Sequence, residues 1–167
     1  MPDVTNNTEG LHVKLIPAFI ESVRTVFQTM VRVKVSILEP HVKKDSRECH
    51  DVSGVIGFSG ALRGSAVLAF PQKTALDLVA RFAGAEFAPD SADFADAVGE
   101  LTNMIAGTAK STLGEAAGIS TPLVILGANH SVPPLRDLPC LVIPCRCEYG
   151  DFSIELNIKR HAVPVAA

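Results

Sequence analysis

The sequence predicts an α+β domain of two layers, in which two α-β-β-β units build one mostly antiparallel six-stranded sheet covered by helices. Apolar residues recur at helical spacing in three segments and show β-type patterning in six others. Their order is helix, three strands, short helix, long helix, three strands, so one α-β-β-β unit occurs twice with an extra helix between the copies. Short connections between successive strands at two places require antiparallel neighbours.

Residues 1–11 are polar and are expected as a flexible tail, residues 12–161 as one domain and residues 162–167 as a second tail. In 13–30, Leu15, Ile16, Phe19, Ile20, Val23, Val26 and Phe27 form the stripe of an amphipathic helix. Val31, Val33, Val35 and Ile37 then alternate with Arg32, Lys34 and Ser36, which changes the period to that of a half-buried strand ending before Pro40. Residues 52–58 and 64–70 read as a hairpin joined by 59–63. Pro71 opens a short helix that Gly84 can stop, and Ser91 caps a long one expected to run over 92–117 up to Gly118. Runs 121–126, 138–148 and 151–160 complete the sheet. The last alternates Phe152, Ile154, Leu156 and Ile158 with polar residues, and is expected at an exposed sheet edge. The connection through His130 and Pro133-Pro134 is expected to be an exposed loop.

A chain of 167 residues with 47% hydrophobic content can close a core without metal or disulfide. Fifteen Lys and Arg against 18 Asp and Glu, net charge -3, leave no broad footprint for nucleic acid or anionic lipid. No apolar run reaches the roughly 18–20 residues of a membrane span, and the start lacks the pattern of a secretory signal. The expectation is a cytoplasmic protein with neither nucleic acid nor membrane as partner. Cys49, Cys140, Cys145 and Cys147 are expected as free thiols: none forms a Cys-x-x-Cys pair, and 140–147 reads as a strand with cysteine as a small apolar residue. No metal site is expected. His12, His41, His50, His130 and His161 fall in the tail, loops or terminus without metal-like spacing, so they are read as surface histidines. Gly54, Gly57 and Gly60 lie in a hairpin and do not open a helix, which excludes a phosphate-cradling loop.

On the long helix, Phe94, Val98, Leu101, Ile105, Ala109 and Thr112 share one sector, the expected core face. Asp96, Glu100, Asn103, Gly107 and Lys110 line up on the opposite side at spacings of four, three, four and three. A solvated face is the ordinary reading of such a stripe. Asn and Gly are, however, poor interior helix formers, and a bare glycine beside an acid and an amide admits another backbone to the helix surface.

The run Asp96-Ala-Val-Gly-Glu100-Leu-Thr-Asn103-Met-Ile-Ala-Gly107-Thr-Ala-Lys110 resembles the signature helix of the CheC/CheX/FliY chemotaxis phosphatases, an acidic or small polar residue followed by Glu-x-x-Asn. Pro122 fits the proline that follows on the next strand, at a separation a few residues shorter than in the CheC form. The likeness extends over about residues 12 to 160. Aligning the two units sets Glu21-Ser-Val-Arg24 opposite Glu100-Leu-Thr-Asn103, so the first keeps the acid and lacks the amide. CheC-like members carry the pair twice and CheX-like members once, so the chain is closest to CheX.

The resemblance implies a CheC-like fold, a homodimer and a phosphatase for the aspartyl phosphate of a CheY-type receiver domain. Asn103 would orient the attacking water and Glu100 would pair with the receiver's active-site lysine. Asp96, Gly107 and Lys110 are the expected partner-binding residues. No cofactor of its own is implied, since the receiver supplies Mg²⁺. The alternative is a non-catalytic receiver-binding or motor-switch-like scaffold of the same fold.

Overall fold

The computed structural model describes residues 4–44, 50–136 and 138–161, with side chains from residue 10 onward. Helix α1 (Val4–Val26) passes directly into a π-turn (Phe27–Val31). It starts well before residue 13, so 4–11 are helical and not a tail. Leu11, 0% exposed, extends the stripe of Leu15 by one turn and gives the early segment an apolar anchor. Residues 31–37 keep their alternation in burial, with Val31, Val33 and Val35 inside and Arg32, Lys34 and Ser36 outside. Only β1 (Ser36–Ile37) is hydrogen-bonded as strand, because Val31 closes the π-turn and Arg32 takes left-handed angles, φ 60 and ψ 41.

After β2 (His41–Val42), the hairpin of β3 (His50–Gly60) and β4 (Leu62–Phe70) pairs from Val52 with Phe70 to Phe58 with Gly64. The 59–63 connection is the expected one, but its residues continue into other ladders. Helix α2 (Gln72–Ala83) ends on Gly84, and α3 (Ala92–Leu113) begins at Ser91, whose Oγ accepts from the Phe94 N–H at 3.2 Å. α3 stops at Gly114, φ 64, rather than at Gly118, since the first glycine to reach left-handed angles caps the helix. The residues beyond become β5 (Ala117–Ile119), followed by β6 (Leu123–His130), β7 (Leu141–Cys147) and β8 (Gly150–Arg160).

The sheet order is β1-β7-β8-β4-β3-β5, with β2 also on β7 and β6 also on β3, all antiparallel. Eight strands thus fill six columns, and the expected six-stranded sheet is found with both outer columns broken. Each break is three residues ending in proline, Leu38-Glu39-Pro40 and Ser120-Thr121-Pro122. Leu38 N donates to Pro144 O at 2.9 Å, which puts the Pro144 nitrogen, with no hydrogen to give, on the same side of β7. At the other break Ser120 Oγ patches the ladder by accepting from Gly57 N at 2.9 Å.

β8 lies between β7 and β4, so it is central and not the edge strand expected; the edge beside β3 is β6, where Leu123 is 63% exposed. Its clean alternation misled because the face away from the helices is also covered. Glu155 and Asn157, which point there, are buried beneath Lys43, His50 and the 131–140 connection. Asn157 Oδ1 accepts from Leu135 N at 2.6 Å and its Nδ2 donates to Leu138 O at 3.0 Å, so the Pro133-Pro134 loop, exposed as expected, is strapped across the sheet. On the helix side Phe152 stacks on Phe27 at 4.8 Å and tilts against Phe70 at 5.3 Å. Among the described residues no helix is long and apolar enough to cross a membrane.

Burial pushes the Glu155 carboxyl up, but hydrogen bonds from His50 and Lys43 outweigh it and hold the group below its ordinary value. Its ion pair with Lys43 therefore contributes fully above the ordinary carboxylate range and fades as pH falls through the lowered folded value. Glu155→Gln should cost about 3–5 kcal/mol at neutral pH, because Lys43 is left buried without a counter-charge, and should flatten the acid limb of stability; urea titrations from pH 7 to pH 3 check both.

Candidate functional site

Helix α3 can press onto β3 because β3 carries a glycine beneath it: a Cβ on Gly54 would collide with Thr102 Oγ1. Thr102 is 3% exposed, and its hydroxyl donates to Val98 O at 2.7 Å. From the side, α1 is tied in by Ser22 Oγ, which donates to Ile105 O at 2.6 Å in the buried helix interface. Phe94, Val98, Leu101, Ile105 and Ala109 fill the core as expected. Thr112 does not; it is exposed in the last turn of the helix, and its hydroxyl donates to Thr108 O.

With Leu101 and Thr102 fixed inward, the opposite stripe is directed away from the sheet. Asp96 and Glu100 are exposed, and Asn103, Gly107 and Lys110 half-buried. The side chains of Asp96, Glu100, Asn103 and Lys110 make no hydrogen bond or ion pair with any described residue. A carboxylate and an amide one turn apart thus keep their whole bonding capacity for something outside the chain. A Cβ on Gly107 would meet nothing within 4 Å, so the surface beside the pair is open. Pro122 reaches the site from the sheet: its Cγ lies 3.4 Å from where a Gly99 Cβ would stand, one residue before Glu100. The prolyl ring therefore walls the helix at the motif, whatever its separation from Asn103 along the chain. Gly54, Gly99 and Ser22 are supporting positions that the sequence pattern did not single out; a glycine inside a β-rich run was the available signal for Gly54.

The first-unit counterparts, Glu21 and Arg24, are both exposed on α1. Among the histidines, His50 and His130 are not surface residues of loops. His50 Nε2 lies 2.7 Å from Glu155 Oε1 and His130 Nε2 lies 2.8 Å from Ser53 Oγ, both from strands. His12 sits within α1, and His41 in β2. Cys140 and Cys145 are buried and Cys147 is half-buried, none of the three in a disulfide, and burial pushes Cys145 up to about 12, so it stays protonated. Among the described residues no three His, Cys, Asp or Glu side chains are grouped to hold a metal ion. Cys49 lies outside the described residues.

Two α-β-β-β units on one antiparallel sheet define a CheC-like fold. The sequence model of the family described as chemotaxis phosphatase CheX matches residues 52–146, and the chain belongs to that family. It is 27% identical over 150 residues to the CheY-P phosphatase CheX of Thermotoga maritima, covering 87% of this chain and 96% of that one. Among solved structures, a CheC-like superfamily protein from Shewanella sp. PV-4 is 32% identical with a TM-score of 0.80, covering 90% of this chain and 99% of that one. The CheX of a CheX-CheY-BeF3-Mg complex from Borrelia burgdorferi, 22% identical over 87% of this chain and 98% of its own, shares the fold with a TM-score of 0.73.

Two substitutions separate the supporting glycine from the open one. Gly54→Ala should cost about 1–3 kcal/mol through overpacking against Thr102, with partial recovery in the Gly54→Ala/Thr102→Ala pair. Gly107→Ala should instead stabilise the chain by up to about 1 kcal/mol. Denaturant midpoints of the three variants give the comparison.

Proposed function

We propose that the chain hydrolyses the aspartyl phosphate of a CheY-type receiver domain, with Asn103 and Glu100 in distinct roles. The observation that carries this reading is the unspent pair itself: two polar side chains one turn apart, directed away from the fold, on a helix whose neighbouring glycine leaves room for a partner. The named activity of the Thermotoga relative and the CheX-CheY pairing in the Borrelia complex support it.

An acyl phosphate already held by its own protein's Mg²⁺ and lysine needs little beyond a water in line behind phosphorus. Positioning is the main contribution in phosphoryl transfer. Asn103 is suited to place that water, because its amide offers both a donor and an acceptor, and half-burial restrains its rotamers. Glu100, fully outward, suits pairing with the receiver's lysine, which would bring Asn103 up to the phosphoryl group. Neither role asks for a metal held by this chain. Asp96 and Glu100 sit toward the amino-terminal end of α3 and Lys110 near its last turn, so the stripe runs from negative to positive and would fix the receiver's orientation. The homodimer implied by the family likeness would form along β6, where Leu123 and Leu126 lie exposed on an unpaired edge. Light scattering at micromolar concentration tests that, and a monomer removes it.

Asn103→Ala should abolish receiver dephosphorylation while leaving unfolding and most docking intact, since an outward amide adds little to the core. Glu100→Ala should lower both turnover and affinity, because a charge pair across the interface is lost. Phosphate release from a phosphorylated receiver, measured alongside binding to its beryllofluoride form, distinguishes the two. Wild-type hydrolysis by Asn103→Ala would remove the assignment and favour the scaffold reading.

A further inference from the structure

Among the described residues, all three helical segments end on a residue with left-handed backbone angles. α2 and α3 use glycine there, Gly84 at φ 72 and Gly114 at φ 64, whereas α1 leaves its π-turn through Arg32 at φ 60. Glycine takes these angles without steric cost and a side chain does not, so the fold alone would favour glycine at 32 as it does at the other two ends. The Arg32 main chain is well held, with its N–H on Phe27 O and its carbonyl accepting from Arg81 Nη2 at 3.4 Å. Its guanidinium, in contrast, bonds to no described residue. A strained position that keeps a long cation, at the end of a π-turn, points to a use outside folding.

The surroundings say what that use is. Arg32 lines a concavity of about 580 Å³ together with Arg24, Gln28 and Lys34, closed below by Val33 and Val35. No acidic residue lines it, and neither Arg24 nor Lys34 has an ion-pair partner among the described residues. Three cations without an ion-pair partner among the described residues therefore line one hollow in a chain of net charge -3, Arg32 also bordering a neighbouring concavity lined by Asp77 and Glu86. Arg24 stands at the position that matches Asn103 in the unit alignment, so this hollow occupies the first unit's lapsed motif.

We propose that this concavity binds a small, multiply charged oxyanion of the phosphoanhydride class. Two guanidinium forks each match a pair of anionic oxygens, and Lys34 adds a third charge on a flexible stem. The cations are exposed, so water weakens each single pair; a ligand with several charges on adjacent centres is needed to engage them together. The volume lies within the range of ligand pockets, roughly 300–1,000 Å³, which leaves space for a group esterified to the anhydride. Gln28 supplies an uncharged donor at the rim.

Calorimetry with inorganic pyrophosphate as the probe, and citrate as a polycarboxylate of comparable charge, tests this on the full chain. Saturable pyrophosphate binding is expected, tighter than citrate, and reduced ~10-fold or more in Arg32→Gly and in Arg24→Gln. The ligand-free melting midpoint of Arg32→Gly should not fall below wild type, since glycine relieves the left-handed backbone. That combination, weaker binding without weaker folding, is what a merely structural arginine would not give. Absence of saturable binding, equal binding in both variants, a preference for citrate, or a lowered ligand-free midpoint in Arg32→Gly would each overturn the proposal.

Discussion

Each half of this sheet is closed by a strand from the other half. The first unit supplies α1, the β1-β2 column, β3 and β4; the second supplies α3, the β5-β6 column, β7 and β8. Yet β1 and β2 hydrogen-bond to β7, β5 and β6 hydrogen-bond to β3, and the two last strands, β4 and β8, meet at the centre. Neither unit could satisfy its own ladder, because its first strand is across the molecule. The exchange accounts for the behaviour of the 59–63 connection, where Ser59 and Gly60 turn to β5 while Leu62 and Arg63 turn to β8. Folding must therefore bring sequence-distant strands together before either half is complete.

The same exchange positions the α3 stripe. β3 carries α3 on one face through the Gly54–Thr102 contact and receives the β5-β6 column at its edge. That column brings Pro122 and Val124 up against Gly99. The helix is thus gripped from below by a strand of the first unit, from one side by α1 through Ser22, and at the motif by a proline of its own unit. A side chain on so constrained a helix needs no hydrogen bonds of its own to be well aimed. Glu100 and Asn103 can remain unpartnered because the backbone beneath them is fixed by others.

Much of this was legible in the sequence, and the misses have local causes. The α3 stripe, its Ser91 cap, α2 and the hairpin follow from periodicity, turn and cap chemistry that act over a few residues. The 31–37 alternation predicted burial correctly and pairing poorly, since apolar period records which side faces the core and not whether the N–H groups find a ladder. The break between β1 and β2 depended on which strand lies beside Pro144, and that between β5 and β6 on Ser120 meeting Gly57, both facts of tertiary pairing. β8 looked like a one-sided strand because Glu155 and Asn157 are polar; their burial arises from Lys43, His50 and the strap, all distant in sequence. At the site, the residue types gave the pair, while the glycines that let α3 approach became meaningful only once β3 was known to lie beneath it.

The strand exchange also explains why a unit without a complete motif persists. If the first unit folded independently, having Arg24 where the second unit has Asn103 would leave it with no role. Here its β1-β2 column covers β7, β3 carries α3, and α1 donates to Ile105 O through Ser22. All these demands fall on inward or edge-facing atoms. The outward face of α1 carries none of them, so Glu21 and Arg24 can take other chemistry without loss of the sheet. The two helices have diverged in that way: α3 presents an acid, an amide and an open glycine, and α1 ends among three cations around a hollow. Surface chemistry has separated the units where packing could not, because packing requires both.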